Sequence, residues 1–130
     1  MKQRLRTSKK VDLYLEEMHR SIKLSSKASL ARIAIGYSLF IDKHDPTLQS
    51  EYEIQDTING FEFQRHTLLG DHDREIYVMV EEHANRSLTE DDFYPKYVNA
   101  HIERGIKLLY SEFQYLGKEK FISFLLEVNQ

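Results

Sequence analysis

The chain has 130 residues, enough for one domain with a modest core, and a formal net charge of −3. It contains no cysteine, which excludes a disulfide framework, a thiol nucleophile, a persulfide carrier and cysteine-based metal knuckles, and suits a cytoplasmic protein. The charge is split: residues 1–43 hold ten Lys or Arg against four acids, a net of +6, and residues 44–130 hold eight against seventeen, a net of −9. A basic end on an acidic body is the pattern of a polyanion-binding face.

Taken in order, residues 1–43 read as a basic strand-helix-helix unit, 44–70 as a loop and hairpin, and 71–130 as a helical part, all in one domain. The N-terminus is basic but lacks the apolar core of a secretory signal. Lys2, Arg4 and Arg6 alternate with Gln3, Leu5 and Thr7, so in a strand the three basic residues share one face. Ser8 is placed to cap a helix from Lys9, in which Val11, Leu15, Met18 and Ile22 form one apolar face. Ser25 or Ser26 caps a second helix with Leu30, Ile33, Ala34 and Tyr37 on one face. The run Leu30 to Ile41 contains Arg32 and is too short to span a bilayer.

This order resembles a ribbon-helix-helix unit, in which two chains pair their strands and lay the ribbon in the DNA major groove. Lys2, Arg4, Arg6, Lys9, Lys10, Lys23 and Lys27 are the candidate DNA-binding residues. Lys27 would reinforce a phosphate site at the start of the second helix. The competing reading of the arginines is an edge strand charged to block aggregation.

Pro46 and scattered polar residues make 42–59 irregular, with Tyr52, Ile54 and Ile58 as the apolar points of a hairpin arm. Asn59-Gly60 is a tight-turn signal of the kind that needs positive φ. Phe61 and Phe63 then alternate with Glu62 and Gln64 in a short extended return segment ending at Gly70. Asp71 is read as the cap of a helix to about Asn85, with Ile76, Met79, Val80 and His83 on one face. Thr89-Glu90-Asp91-Asp92 opens the next helix, whose stripe runs Tyr94, Val98, Ile102, Ile106, Leu109, Phe113 and Leu116. Gly105 inside it costs roughly 1 kcal/mol against Ala, which points to close approach of another backbone. Gly117 is a C-cap, and Phe121, Phe124, Leu125 and Val128 face one side of a last helix that docks on the body or on another subunit.

The central run GFEFQRHTLLG and the later HIERGI are similar to the DndE family of bacterial DNA phosphorothioation, that is, DNA sulfur modification. Gly60, Glu62, Phe63, Arg65, Thr67, Leu68, Leu69, Gly70, His101, Arg104 and Gly105 fit the family pattern, over roughly residues 4 to 117. Gln64 and Glu103 stand where that pattern has Asn. The resemblance implies a mainly α fold, an accessory DNA-binding component that works beside the proteins that cut or thiolate DNA, binding of nicked duplex, and a homo-oligomer, a compact tetramer. The excess of apolar stripes also argues for self-association. Arg65 and Arg104 are read as internal arginine–carboxylate locks, with Glu62 as one partner for Arg104, in preference to phosphate contacts.

No HExxH, His-x-x-x-His, phosphate loop or nucleophile elbow is present. The chain is therefore expected to bind DNA with no catalytic residue, metal or cofactor. A ribbon-helix-helix regulator is the first alternative. A metal-dependent nuclease built on groups such as Asp71, His72, Asp73 and His101 is the second.

Overall fold

The computed structural model describes residues 3–23, 26–47 and 59–128. Among these it is mainly α-helical, with one small antiparallel sheet. In chain order the elements are β1 (Arg4–Arg6), α1 (Lys9–Ile22), α2 (Lys27–Ile41), β2 (Glu62–Gln64), α3 (Arg65–Leu69), α4 (Asp73–Ala84), α5 (Val98–Leu116) and α6 (Lys118–Val128). No helix among the described residues is long and apolar enough to cross a membrane.

The helix starts follow their caps. Ser8 Oγ accepts from the N–H of Val11 at 3.2 Å, and Ser26 Oγ from that of Ser29 at 3.2 Å, each satisfying a donor the first turn leaves open. Lys23 closes α1 in the left-handed region at φ 54°, its N–H donating to His19 O. Val11, Leu15 and Met18 are fully buried, as their spacing requires.

α2 and α5 form the central pair. Gly105 makes their approach possible, because a Cβ there would land on the carbonyl of Ala34. α1 lies along α5 in the same direction: Ser8 meets Glu103 at one level, and Tyr14 stacks on Tyr110 at 3.9 Å further along. α6 docks on the body through buried Phe121 and Leu125, with Phe121 edge-on to Phe113 and Phe124 edge-on to Tyr37.

Several expectations change. β1 pairs antiparallel with β2 of its own chain, in the register Arg4–Gln64, Leu5–Phe63, Arg6–Glu62, so the ribbon forms within one chain. The hairpin arm with Tyr52, Ile54 and Ile58 lies outside the described residues. Gly60 does not have positive φ. Gly60 is needed for space instead: its N–H donates to Thr7 O at 2.8 Å, and a Cβ would strike Thr7 and Ser8. The extended segment stops at Gln64 and turns helical in α3, whose last carbonyl oxygens accept from Arg32, Leu68 O at 2.9 Å. Gly70–His72 is a tight 3₁₀ turn, so α4 starts at Asp73 and Asp71 does not cap it. Met79 is half exposed rather than part of the buried stripe. Pro95 keeps Tyr94 out of α5; Tyr94 is extended at φ −127°, ψ 117°, and still buried.

Candidate nucleic-acid interface

Alternation along the ribbon decides what faces solvent. Leu5 and Phe63 sit opposite one another and point inward, both about nine-tenths or more buried. Arg4, Arg6, Glu62 and Gln64 point outward. Glu62 lies between the arginines, 3.2 Å from Arg6 and 3.9 Å from Arg4. Exposed pairs of this kind contribute about 0–1 kcal/mol, so a phosphate oxygen can replace the carboxylate at little cost.

Thr7 and Ser8 carry the chain from the ribbon into α1. Thr7 Oγ1 accepts from the N–H of Phe61 at 3.0 Å, and the N–H of Ser8 donates to Glu103 Oε2 at 2.8 Å. Lys9 and Lys10 follow on the first exposed turn of α1. Arg4, Arg6, Lys9 and Lys10 thus follow one path from ribbon to helix.

The other candidates fall elsewhere. Lys2 lies outside the described residues. Lys23 is exposed at the far end of α1, about 20 Å away at 1.5 Å per helical residue. Lys27 is tied down: its ammonium is 2.5 Å from Glu16 and 3.8 Å from Asp12, and 4.4 Å from the Phe61 ring centre. Its hydrogen bond holds the Glu16 carboxyl below the usual value.

The motif residues are occupied inside the molecule. Arg65 makes two hydrogen bonds to Asp73, at 2.7 and 2.9 Å, and one to Glu90 at 2.6 Å, and lies over the rings of Phe93 and Tyr94. Asp73 above all, then Glu90, holds its proton more tightly than usual. The expected lock is there, with partners the sequence did not single out. An open groove lined by Gln3, Arg65, His66, Gly70, Asp73 and Glu90 lies over it.

Arg104 does not meet Glu62. Its guanidinium donates to Ser38 Oγ at 2.8 Å, Ser38 O at 3.1 Å, Asp42 O at 3.1 Å and His44 O at 2.6 Å, holding the end of α2 and the segment after it. The Asp42 carboxylate stands 3.5 Å away. Burial outweighs the pull of Asp42 and Asp45, so its proton is held less tightly than usual.

His101 Nδ1 lies 2.8 Å from Ser38 Oγ. That oxygen also accepts from Arg104 Nε, so the serine hydroxyl joins the two side chains. Burial, then the neighbouring His83 and Arg104, lowers the His101 pKa to about 3. Glu103, two residues on, is 2 % exposed and its carboxyl is pushed up by burial, although Ser8 counters in part. Thr67 and Gly70 are exposed near the end of α3, and Gly70 has φ 52°. No group of three or more His, Cys, Asp or Glu is placed to hold a metal ion among the described residues.

Sequence comparison agrees with the run of motif residues. The family model for the DNA sulphur modification protein DndE matches residues 4–116, from the first residue of β1 to the last of α5. The chain belongs to this family. No curated protein matches it.

Proposed function

We propose that this member of the DndE family serves DNA sulfur modification by gripping the DNA backbone, without carrying out chemistry itself. The observation behind this is the path of four exposed basic side chains, Arg4, Arg6, Lys9 and Lys10, from the outward ribbon face onto the first turn of α1. The motif arginines are committed to internal partners, so the reading rests on this path and not on them. Lys23, at the far end of α1, is a separate contact in this reading, and Lys27 joins by exchanging Asp12 and Glu16 for phosphate. The protein acts in the cytoplasm with the other phosphorothioation proteins and needs no cofactor. It works as a homo-oligomer, a tetramer by family resemblance, which fits the exposure of Phe40, Tyr115 and Leu126.

Binding to intact, nicked and single-stranded DNA of unrelated sequences, with and without divalent metal, tests this. Affinity should fall steeply with salt, at a log–log slope of roughly 0.9 per phosphate contacted. The DNA should stay uncut in both conditions. Arg4→Ala with Arg6→Ala should weaken every duplex about equally and flatten the slope by up to about two per chain. A double variant with parental affinity and slope would remove the ribbon from the site. Metal-dependent cleavage would overturn the non-catalytic role.

A further inference from the structure

We infer that Glu62 is a built-in competitor for phosphate on the ribbon: its carboxylate occupies the place between Arg4 and Arg6 that a phosphodiester would take, and so sets how readily this face accepts DNA. This rests on the reading that the basic end binds the DNA backbone.

The ribbon itself fixes the arrangement. Glu62 stands directly opposite Arg6, and Arg4 is its diagonal neighbour two positions along the other strand. One carboxylate oxygen serves each arginine: Arg6 donates to Oε1 at 3.2 Å, and Arg4 lies 3.9 Å from Oε2. Two oxygens of one anion set between two guanidinium groups also describe a phosphodiester held by its two non-bridging oxygens. All three side chains remain partly exposed, so an incoming phosphate reaches the arginines from solvent.

The carboxylate cannot leave with its backbone. Phe63 beside it is buried. The N–H of Thr7 donates to Phe61 O at 3.0 Å before Glu62, and the N–H of Arg65 donates to Gln3 O at 2.8 Å after it. β2 is thus held to β1 at both ends. A phosphate that takes the arginines therefore stays close to the displaced negative charge. At about 4 Å in water that repulsion is worth roughly fivefold in affinity. The displaced carboxylate also takes up a cation from solution, which returns part of the counterion release that drives binding.

The test is a salt titration of the full chain on unrelated duplexes. Glu62→Gln keeps the side-chain length and an oxygen for Arg6 while removing the charge. It should tighten every duplex by roughly fivefold and steepen the log–log slope by up to about one per chain. With Arg4→Ala and Arg6→Ala also in place, the same change should give almost no gain, because the site competed for is gone. As a readout that needs no variant, the Glu62 carboxylate carbon resonance of the parent should shift when a short duplex is added. If the parent binds steeply but Glu62→Gln binds no tighter, or gains as much without the two arginines, or the Glu62 resonance stays put, the competitor falls and the DNA reading stands. If the parent does not bind DNA, both fall.

Discussion

Arg65 and Arg104 are both arginines of the family motif, and both are nearly buried, yet they are held in opposite ways. Arg65 faces two carboxylates, Asp73 and Glu90, whose side chains keep 33 % and 49 % of their exposure. Arg104 faces mainly neutral oxygens, one hydroxyl and three carbonyls, at the end of α2. The first arrangement tightens the hold of arginine on its proton and the second loosens it, because burial is answered by full charges in one place and by dipoles in the other. The consequence for stability runs the other way. Without Arg65, its carboxylates can turn to water. Without Arg104, the carbonyls of Ser38, Asp42 and His44 lose their shared donor; Ser38 O keeps the N–H of Asp42 at 3.4 Å and Asp42 O the bond from His83 at 2.6 Å.

The largest expected effect follows. Arg104→Ala should destabilise the chain by roughly 3–5 kcal/mol, the range for breaking a buried charged network. Arg65→Ala should cost about 1–2 kcal/mol, between that range and the value of exposed pairs, and its cost should shrink as salt rises. Urea unfolding of both variants at low and high salt measures this. Equal losses at the two positions would mean that burial alone, and not the kind of partner, sets the energetics.

Gly105 sharpens the same comparison one residue away. If Arg104 ties α5 to a backbone that cannot move, a side chain at 105 has nowhere to go. Gly105→Leu should then destabilise by about 1–3 kcal/mol, the usual cost of overpacking, despite better helix propensity. A melting temperature equal to or above the parent's would show that α2 and α5 can slide apart, and the rigidity assigned to the Arg104 network would go with it.

What could be read from the sequence was local. The faces of α1 and α2, the Ser8 cap, the outward alternation of Arg4 and Arg6 and the close contact at Gly105 all follow from spacing within a few residues. What could not be read depends on pairs far apart in the chain. Glu62 meets Arg6 across 56 positions, Arg65 finds Glu90 across 25, and Arg104 finds Ser38 across 66. Gly60 shows how a local signal misleads: Asn59-Gly60 has the composition of a turn, but contact with Thr7 and Ser8 decides its geometry. Lys27 was visible as a basic residue at a helix start, while its capture by Asp12 and Glu16 needed the packing of α1 on α2.

The smallest effect concerns two titrating groups on one turn of α5, beside Arg104. His101 has a pKa lowered from 6.5 to about 3. Between those values the unfolded chain binds the proton and the folded chain does not, so this group takes stability away as pH falls from about 6.5 to about 3. Glu103 is shifted the other way, above its ordinary 4.5. Here the folded chain binds the proton first, so this group adds stability as pH falls through its raised pKa toward 4.5. The two slopes oppose one another. Glu103→Gln removes only the second, because the amide oxygen still accepts from Ser8 and no buried negative charge is left. The variant should gain on the order of 1 kcal/mol at pH 7, because a carboxylate charge 2 % exposed is replaced by a neutral amide. That gain should shrink as pH falls toward 4.5, and the variant should lose stability more steeply than the parent over the same range. Unfolding free energies of both chains from pH 7 to pH 4 check this. Parallel curves would mean that the Glu103 carboxyl titrates alike in the folded and unfolded chains, its burial being answered by a group other than Ser8.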